Sequence, residues 1–213
     1  GYKVPERIKI EYIVVPFEPL EKLAVITARQ IAGYYEANKG LYKIPGEPGE
    51  KKEPAYRPMS EVEDEIAGRL RREEARVAAE ELRAKIVREI NKERDVPFGS
   101  TEERVADLKK IAERTGGEYV ALDWFTAAET DKVLPGAWQI RRQAFGQGAA
   151  VKHSPRSDVE CDRGLLVYQV TDVDPAKPAP FEHVRERVTE DARNRKAFET
   201  CFRIVSESAL GAK

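Results

Sequence analysis

The chain of 213 residues carries 37 Lys and Arg against 38 Asp and Glu, so 35% of it is charged while the formal net charge is only −1. This balance argues against a protein that binds nucleic acid by neutralising phosphates, because such proteins carry a strong positive charge. Hydrophobic residues make up 41% of the chain, which is enough for a buried core and excludes a disordered chain. The length fits one domain or two small ones.

The ends and the cysteines do not fix the compartment. No apolar run approaches the roughly 18 residues that a membrane helix needs. Residues 1–20 lack the apolar core of a signal peptide, so we expect any targeting or membrane segment to lie upstream of Gly1. Cys161 and Cys201 are expected to be two separate thiols, although two cysteines leave their pairing open.

A strand, a helix and a loop are predicted first. Apolar residues at 8, 10, 12 and 14 alternate with Lys9, Glu11 and Ile13, which predicts a mostly one-sided strand over 7–15 that ends at the prolines at 16 and 19. Thr27 followed by Gln30 matches a capping box and predicts a helix over 28–38. The stretch 45–58 is rich in Pro and Gly and has no period, which predicts a linker or loop.

The next segment predicts an unusually long helix. Ser60 and Glu63 match a second capping box, and no proline follows up to residue 94. At 3.6 residues per turn, the apolar residues fall into two stripes on opposite sides. We therefore predict a spine that packs against two different bodies; the alternative, a coiled coil, lacks a single a/d seam. The stripes are Val62, Ile66, Leu70 and Val77 on one side and Ala75, Ala79, Leu82, Ile86 and Ile90 on the other.

Shorter elements follow the spine. Ser100 or Thr101 is expected to cap a helix that runs to 115, where two glycines end it, and residues 118–125 read as a strand. A helix is predicted over 134–145, and two strands over 149–152 and 164–173 around a polar loop at 153–163. A long final helix is predicted over 181–210. This order of elements predicts an α+β fold.

Residues able to carry catalysis are scarce. His153 and His183 have no Cys, Asp or His partners at metal-ligand spacing, and no Ser lies in a nucleophile elbow. The glycines at 146 and 148 lack the Lys and the Ser or Thr of a phosphate-binding loop. We therefore expect no metal, no cofactor and no catalytic residue in this segment.

Aromatic residues in short irregular segments are the remaining candidates for a site. Ordinary core packing is the simplest explanation for them, but rigid rings also line grooves that hold extended apolar peptides. The candidate peptide-binding residues are Tyr34, Tyr35, Tyr42, Trp124, Phe125, Trp138 and Phe145.

Two stretches carry a family resemblance. Residues 34–45 read YYEANKGLYKIP, and residues 175–185 read PAKPAPFEHVR before a long charged helix. Both resemble bacterial extracytoplasmic foldases, the SurA- and PpiD-like proteins that carry parvulin-type peptidyl-prolyl isomerase domains. Residues 58–90 look like a second copy of the latter pattern. Such proteins normally carry an isomerase domain between the segments at 42–45 and 59–62, where this chain has only the Pro/Gly linker 45–58.

The resemblance implies two functional divisions. Residues 1–95 with 176–213 would form a helical chaperone-like lobe with long helices. Residues 96–175 would form a small, degenerate parvulin-like module of order β-α-β-α-β-β, completed by the strand at 7–15. Active parvulins carry one His on the first strand and another on the last. The matching positions here are Tyr12 and Leu166, so the resemblance implies no isomerase activity in this segment.

Three functions stay open on the sequence alone. The resemblance favours an ATP-independent chaperone-type module that binds unfolded or extended polypeptide outside the cytoplasm, in the periplasm or attached to a membrane through an upstream segment. The alternatives are a peptidyl-prolyl isomerase whose active domain or site is not recognisable here, and a helical structural or adaptor protein. Long helices leave homodimerisation open, and no nucleic-acid partner is expected.

Overall fold

The computed structural model describes residues 2–44, 55–95, 104–145 and 152–210, with side chains up to residue 205. Three predicted features fall wholly or partly outside these ranges: the linker at 45–54, the cap at Ser100 or Thr101, and the strand at 149–151. Packing divides the chain into two compact units, one of residues 8–173 and one of residues 1–7 with 174–213.

The described residues form six strands and seven α-helices, in agreement with the predicted mixture of α and β. The strands are β1 (Lys3–Val4), β2 (Arg7–Pro16), β3 (Glu118–Thr126), β4 (Arg156–Cys161), β5 (Gly164–Asp174) and β6 (Lys177–Pro178). The helices are α1 (Phe17–Leu23), α2 (Ala28–Ala37), α3 (Met59–Arg94), α4 (Leu108–Thr115), α5 (Thr130–Val133), α6 (Trp138–Gln143) and α7 (Phe181–Leu210).

A four-stranded sheet of order β3-β2-β5-β4 organises the larger unit. Strand β4 runs antiparallel to β5, with Cys161 opposite Gly164. The central strands β2 and β5 are covered on both faces. Alternate residues such as Ile10 and Tyr168 pack with α6 in one buried cluster, whereas Ile13 and Val167 pack with α3 and α4 in another. The predicted strand 7–15 is therefore confirmed, but its last residues are buried on both sides rather than on one.

Helix α3 packs against two bodies, as its two stripes predict. Val62 and Ile66 are buried with the α2 residues Ile31 and Tyr35. In the C-terminal half of the helix, Ile86 and its neighbours Ala79 and Ile90 are buried against the sheet and α4. The assignment of Val77 to the first stripe is wrong, because this side chain is 56% exposed.

The smaller unit consists of a short strand pair and α7. Strand β1 is antiparallel to β6, with Lys3 opposite Pro178. The Tyr2 hydroxyl donates a 2.6 Å hydrogen bond to Asp191 of α7, and the Arg187 guanidinium lies over the Tyr2 ring. These contacts hold the chain terminus against the first half of α7. The predicted long final helix is confirmed.

This division by packing differs from the one that the resemblance implies. We predicted a lobe of residues 1–95 with 176–213 and a separate module of residues 96–175. In the structure, α3 shares a buried cluster with Ile111 and Val167 of that module, so residues 8–95 pack with it as one unit. The predicted lobe and module are therefore not two separately packed units, and their division by function stays a prediction.

Two helices begin at other residues than the sequence predicts. Helix α3 begins at Met59 after an extended Pro58 without a side-chain cap, which places Ser60 inside the first turn. The helix predicted from residue 101 begins only at Leu108. There the Asp107 side chain accepts a hydrogen bond from the Lys110 amide, the usual N-cap arrangement. By contrast, the capping box of Thr27 and Gln30 at the start of α2 is confirmed.

Three further elements differ from prediction. The helix expected over 134–145 is shorter, because only α6 lies within that range; α5 ends at Val133, and Gly136 before α6 adopts a φ of +79°. The polar loop predicted over 153–163 contains the edge strand β4, in which Val159 and Cys161 are buried. Charged residues on an edge strand are common, since they block pairing with other chains. Helix α1 was not predicted, because Pro16 and Pro19 indicate only the end of the preceding strand.

Candidate functional site

The seven predicted aromatic residues do not form one surface. Tyr35 and Tyr42 are buried and stacked, with ring centroids 5.5 Å apart. The Tyr35 hydroxyl donates a 2.7 Å hydrogen bond to the backbone carbonyl of Arg57. These two rings belong to the core between α2 and α3, so they are not available to a peptide.

Three of the others are also occupied by packing. Phe125 is buried and meets Phe145 edge to face at 5.8 Å. Trp124 is half-buried, and the Lys9 ammonium lies 5.1 Å from its ring centroid. Phe125 and Phe145 therefore pack in the cluster on one side of the sheet, while Trp124 is a covered surface residue.

Tyr34 and Trp138 are the two candidates that line open cavities. Tyr34 lies in a cavity of about 690 Å³ between α1, α2 and α3. Trp138, which is 55% exposed, lies in a neighbouring cavity of about 390 Å³. Phe17, the first residue of α1, lines both cavities and joins them. We call the larger cavity the α1 groove; it is lined by Phe17, Glu21, Tyr34, Arg69, Arg72, Glu73 and Arg76.

Helix α1 is held in place by one backbone contact and by its packing on α3. The Phe17 amide donates a 2.9 Å hydrogen bond to the carbonyl of Arg163. Pro19 is compatible with the helix because it is the third helical residue, where its missing N–H needs no partner. Beyond the end of α1, Val25 is 81% exposed and lines a further cavity of about 630 Å³ that shares Glu21 with the groove.

One wall of the α1 groove is a row of guanidinium groups. Arg69, Arg72 and Arg76 follow each other at i, i+3 and i+7 on α3 and therefore lie on one side of the helix. Sequence inspection passed over them because only apolar stripes were traced along this helix. Their spacing, with a phenylalanine directly after Pro16, is the signal that points to the groove.

Two of these arginines are fixed by partners. Arg76 donates two hydrogen bonds, of 3.0 and 2.6 Å, to the Glu160 carboxylate of β4, and its guanidinium lies 5.9 Å from the Phe17 ring centroid. The hydrogen bond from Arg76 lowers the pKa of the Glu160 carboxyl below its ordinary value. Arg69 donates a 3.0 Å hydrogen bond to the Tyr34 hydroxyl. Both aromatic rings of the groove thus have a cation beside them.

Arg72 differs from its neighbours on α3. It is exposed in the groove wall, and it makes no hydrogen bond or ion pair with any residue that the structure describes. A guanidinium with free donors can bind a carboxylate or several peptide carbonyls. Aromatic surface beside such donors is suited to binding an extended chain.

The two positions that the sequence resemblance matched to the parvulin histidines lie together in the core. Tyr12 of β2 and Leu166 of β5 belong to one buried cluster and are 5% and 0% exposed. Burial raises the pKa of the Tyr12 phenol, which keeps it neutral. Side chains of Phe125 and Ile140 pack in the same cluster, so this side of the sheet is filled by apolar groups.

Other kinds of site are not found in the described part of the chain. No group of three or more His, Cys, Asp or Glu residues is placed to hold a metal ion there. Within the same ranges, no helix has the length and apolarity that crossing a membrane requires. Cys161 is buried and Cys201 is exposed, and the two thiols are not bonded to each other.

Comparison with protein-family models, with curated proteins and with solved structures gives no match to this chain. The resemblance to extracytoplasmic foldases therefore rests on the sequence stretches alone. The α1 groove and the filled cluster around Tyr12 are independent observations on which a functional proposal can be built.

Proposed function

We propose that this chain is an ATP-independent, chaperone-type module that binds unfolded or extended polypeptide and has no isomerase activity of its own. The observation that carries the proposal is the α1 groove, where Phe17 and Tyr34 line the same cavity as the exposed guanidinium of Arg72. Aromatic rings offer contact area to any apolar side chain at low entropic cost. Guanidinium donors bind backbone carbonyls and carboxylates of many sequences. This combination suits a binder of limited sequence selectivity.

The surroundings of the groove support an extended rather than a folded ligand. One neighbouring cavity shares Phe17 with the groove and contains Trp138, and another shares Glu21 with it and contains Val25, which gives separate apolar positions near the groove. An extended chain presents alternate side chains to such positions. The exposed arginine favours ligands with acidic as well as apolar residues, because opposite charges steer and hold the ligand.

The sequence resemblance supplies the rest of the proposal. A parvulin-like module of order β-α-β-α-β-β is compatible with β2, α4, β3, α6, β4 and β5 as they follow each other in the chain. A place outside the cytoplasm, with attachment to a membrane through an upstream segment, belongs to the same proposal. A helical adaptor protein would have no need of the open groove, which is why we rank that alternative second.

The proposal predicts that the chain does not accelerate prolyl isomerisation. Tyr12 and Leu166 stand where active parvulins carry imidazoles, and both are buried. Uncatalysed isomerisation takes tens to hundreds of seconds at 25 °C, so a protease-coupled assay with a prolyl peptide should give the same rate with and without the protein. A rate that rises in proportion to protein concentration would show that an active isomerase site exists, and the isomerase alternative would replace the proposal.

Binding in the α1 groove is tested by reversing one charge. We expect Arg72→Glu to weaken the binding of a fluorescent acidic and aromatic peptide by about tenfold, which corresponds to about 1.4 kcal/mol. Fluorescence anisotropy titration at low and high salt measures the effect, and the loss should shrink at high salt. The matched control is Arg88→Glu, an exposed arginine of α3 outside the groove, which should leave the affinity within twofold. Equal affinities for both variants would place the peptide elsewhere.

A further inference from the structure

Helix α7 carries a regular row of exposed apolar residues. Starting from Phe181, positions three and four residues apart form a single a/d seam. Phe198, Phe202 and Val205 in this seam are 71%, 66% and 67% exposed. The full seam is Phe181, Val184, Val188, Asp191, Arg195, Phe198, Phe202 and Val205.

The seam is complementary to itself when two copies run in opposite directions. If Asp191 of one copy lies opposite Arg195 of the other, the two residue numbers add to 386. The same sum pairs Val188 with Phe198 and Val184 with Phe202, and then Phe181 with Val205. Every pair joins an a position to a d position, which is the layer pattern of antiparallel coiled coils.

The charges favour this direction over the parallel one. A parallel pair would place Asp191 against Asp191 and Arg195 against Arg195, which repel each other inside the seam. The antiparallel pair replaces both repulsions with Asp–Arg contacts. On one flank of the seam, where the residues closest in height have numbers that add to 384, Arg185 of one copy lies nearest to Glu199 of the other. The two Ala192 residues lie beside the two-fold axis, where a small residue permits close approach.

Two contacts within one copy involve residues of this surface, the hydrogen bond from Tyr2 to Asp191 and one of 3.0 Å from Arg195 to Glu199, and the pairing has to accommodate both. Tyr2 lies on the side of the seam formed by Val184, Arg187 and Asp191. The flank that carries Arg185 and Glu199 is on the other side, and both residues are exposed. Only one carboxylate oxygen of Asp191 accepts the Tyr2 hydroxyl.

From this pattern we propose that α7 pairs with α7 of a second copy of this chain as an antiparallel two-stranded coiled coil centred on residue 193. The pair forms a two-fold symmetric dimer, in which each copy uses the same surface. It covers the apolar seam that the single chain leaves exposed. The dimer does not depend on what the α1 groove binds.

Charge-reversal variants of the full chain test the pairing. Sedimentation equilibrium is expected to show a monomer–dimer equilibrium for the wild type and at least tenfold weaker association for Glu199→Arg. The double variant Arg185→Glu with Glu199→Arg should recover to within about threefold, because it restores both intermolecular pairs with reversed sign. The control Arg193→Glu changes charge on the outer side of α7 and should associate like the wild type. A monomeric wild type, or a double variant as weak as the single one, would overturn the proposal.

The exposed Cys201 gives a second measurement that needs no seam substitution. With the pair centred on residue 193, the two Cys201 residues are separated by 16 residue rises along the axis, about 24 Å. The roughly 8–10 Å between the helix axes is perpendicular to this and lengthens the diagonal only slightly. A spin label on Cys201 in a Cys161→Ser background should therefore give a dimer distance of about 25 Å in pulsed electron paramagnetic resonance. A distance below about 15 Å would indicate parallel helices, and the absence of any dimer distance would also refute the pairing.

Discussion

Gly164→Ala is expected to destabilise the larger unit by about 3 kcal/mol or more. Gly164 is the first residue of β5, and an added Cβ would lie 1.9 Å from the carbonyl oxygen of Val15 and 2.7 Å from its carbonyl carbon. Both atoms belong to the backbone of β2, so no side chain can move away to make room. The two central strands of the sheet would have to separate at this point.

Urea denaturation followed by circular dichroism measures this loss. The matched control is Gly33→Ala in α2, where an added Cβ meets nothing within 4 Å. There the same substitution is expected to stabilise the protein by about 0.5–1 kcal/mol, because alanine favours a helix interior over glycine. If the free energy of unfolding of Gly164→Ala lay within 1 kcal/mol of the wild-type value, the close approach of β2 and β5 would be refuted.

The two-sided packing of α3 predicts two separate large effects on one helix. Ile66→Ala and Ile86→Ala should each cost about 2–5 kcal/mol, because both side chains are fully buried and each would leave a cavity. They belong to different clusters, one with α2 and one with the sheet and α4. Their effects should therefore add in the double variant to within about 0.5 kcal/mol.

Equilibrium unfolding of the two single variants and the double variant checks this expectation. Val77→Ala is the control, because its exposed position on the same helix predicts a change below about 0.5 kcal/mol. A small effect of either isoleucine would mean that α3 has only one packed side.

Local patterns in the sequence predicted the parts of the fold that depend on local physics. The alternation in β2, the capping box at Thr27 and the two stripes of α3 are each decided by residues close in sequence, and the structure has all three. Strand β4 was not predicted, because its charged residues are typical of a loop. Its strand conformation comes from pairing with β5, which no local pattern reveals.

The candidate site was harder to predict for a related reason. The sequence placed Tyr34, Tyr35 and Tyr42 together, but only the packing of α2 on α3 decides that Tyr35 and Tyr42 are covered and that Tyr34 faces an open cavity. Phe17 was missed together with α1. The groove exists because α1 lies beside residues more than 50 positions away in the sequence, a relation that only the tertiary structure provides.

The most direct test of the proposed function is suppression of aggregation of a chemically denatured protein in the absence of ATP. The wild type at several-fold molar excess should reduce the light scattering of the aggregating client, and an excess of the acidic aromatic peptide should remove this protection by filling the α1 groove. Arg72→Glu should protect less than Arg88→Glu at every concentration. No protection at several-fold excess, or protection that neither the peptide nor Arg72→Glu reduces, would contradict the assignment of polypeptide binding to this groove.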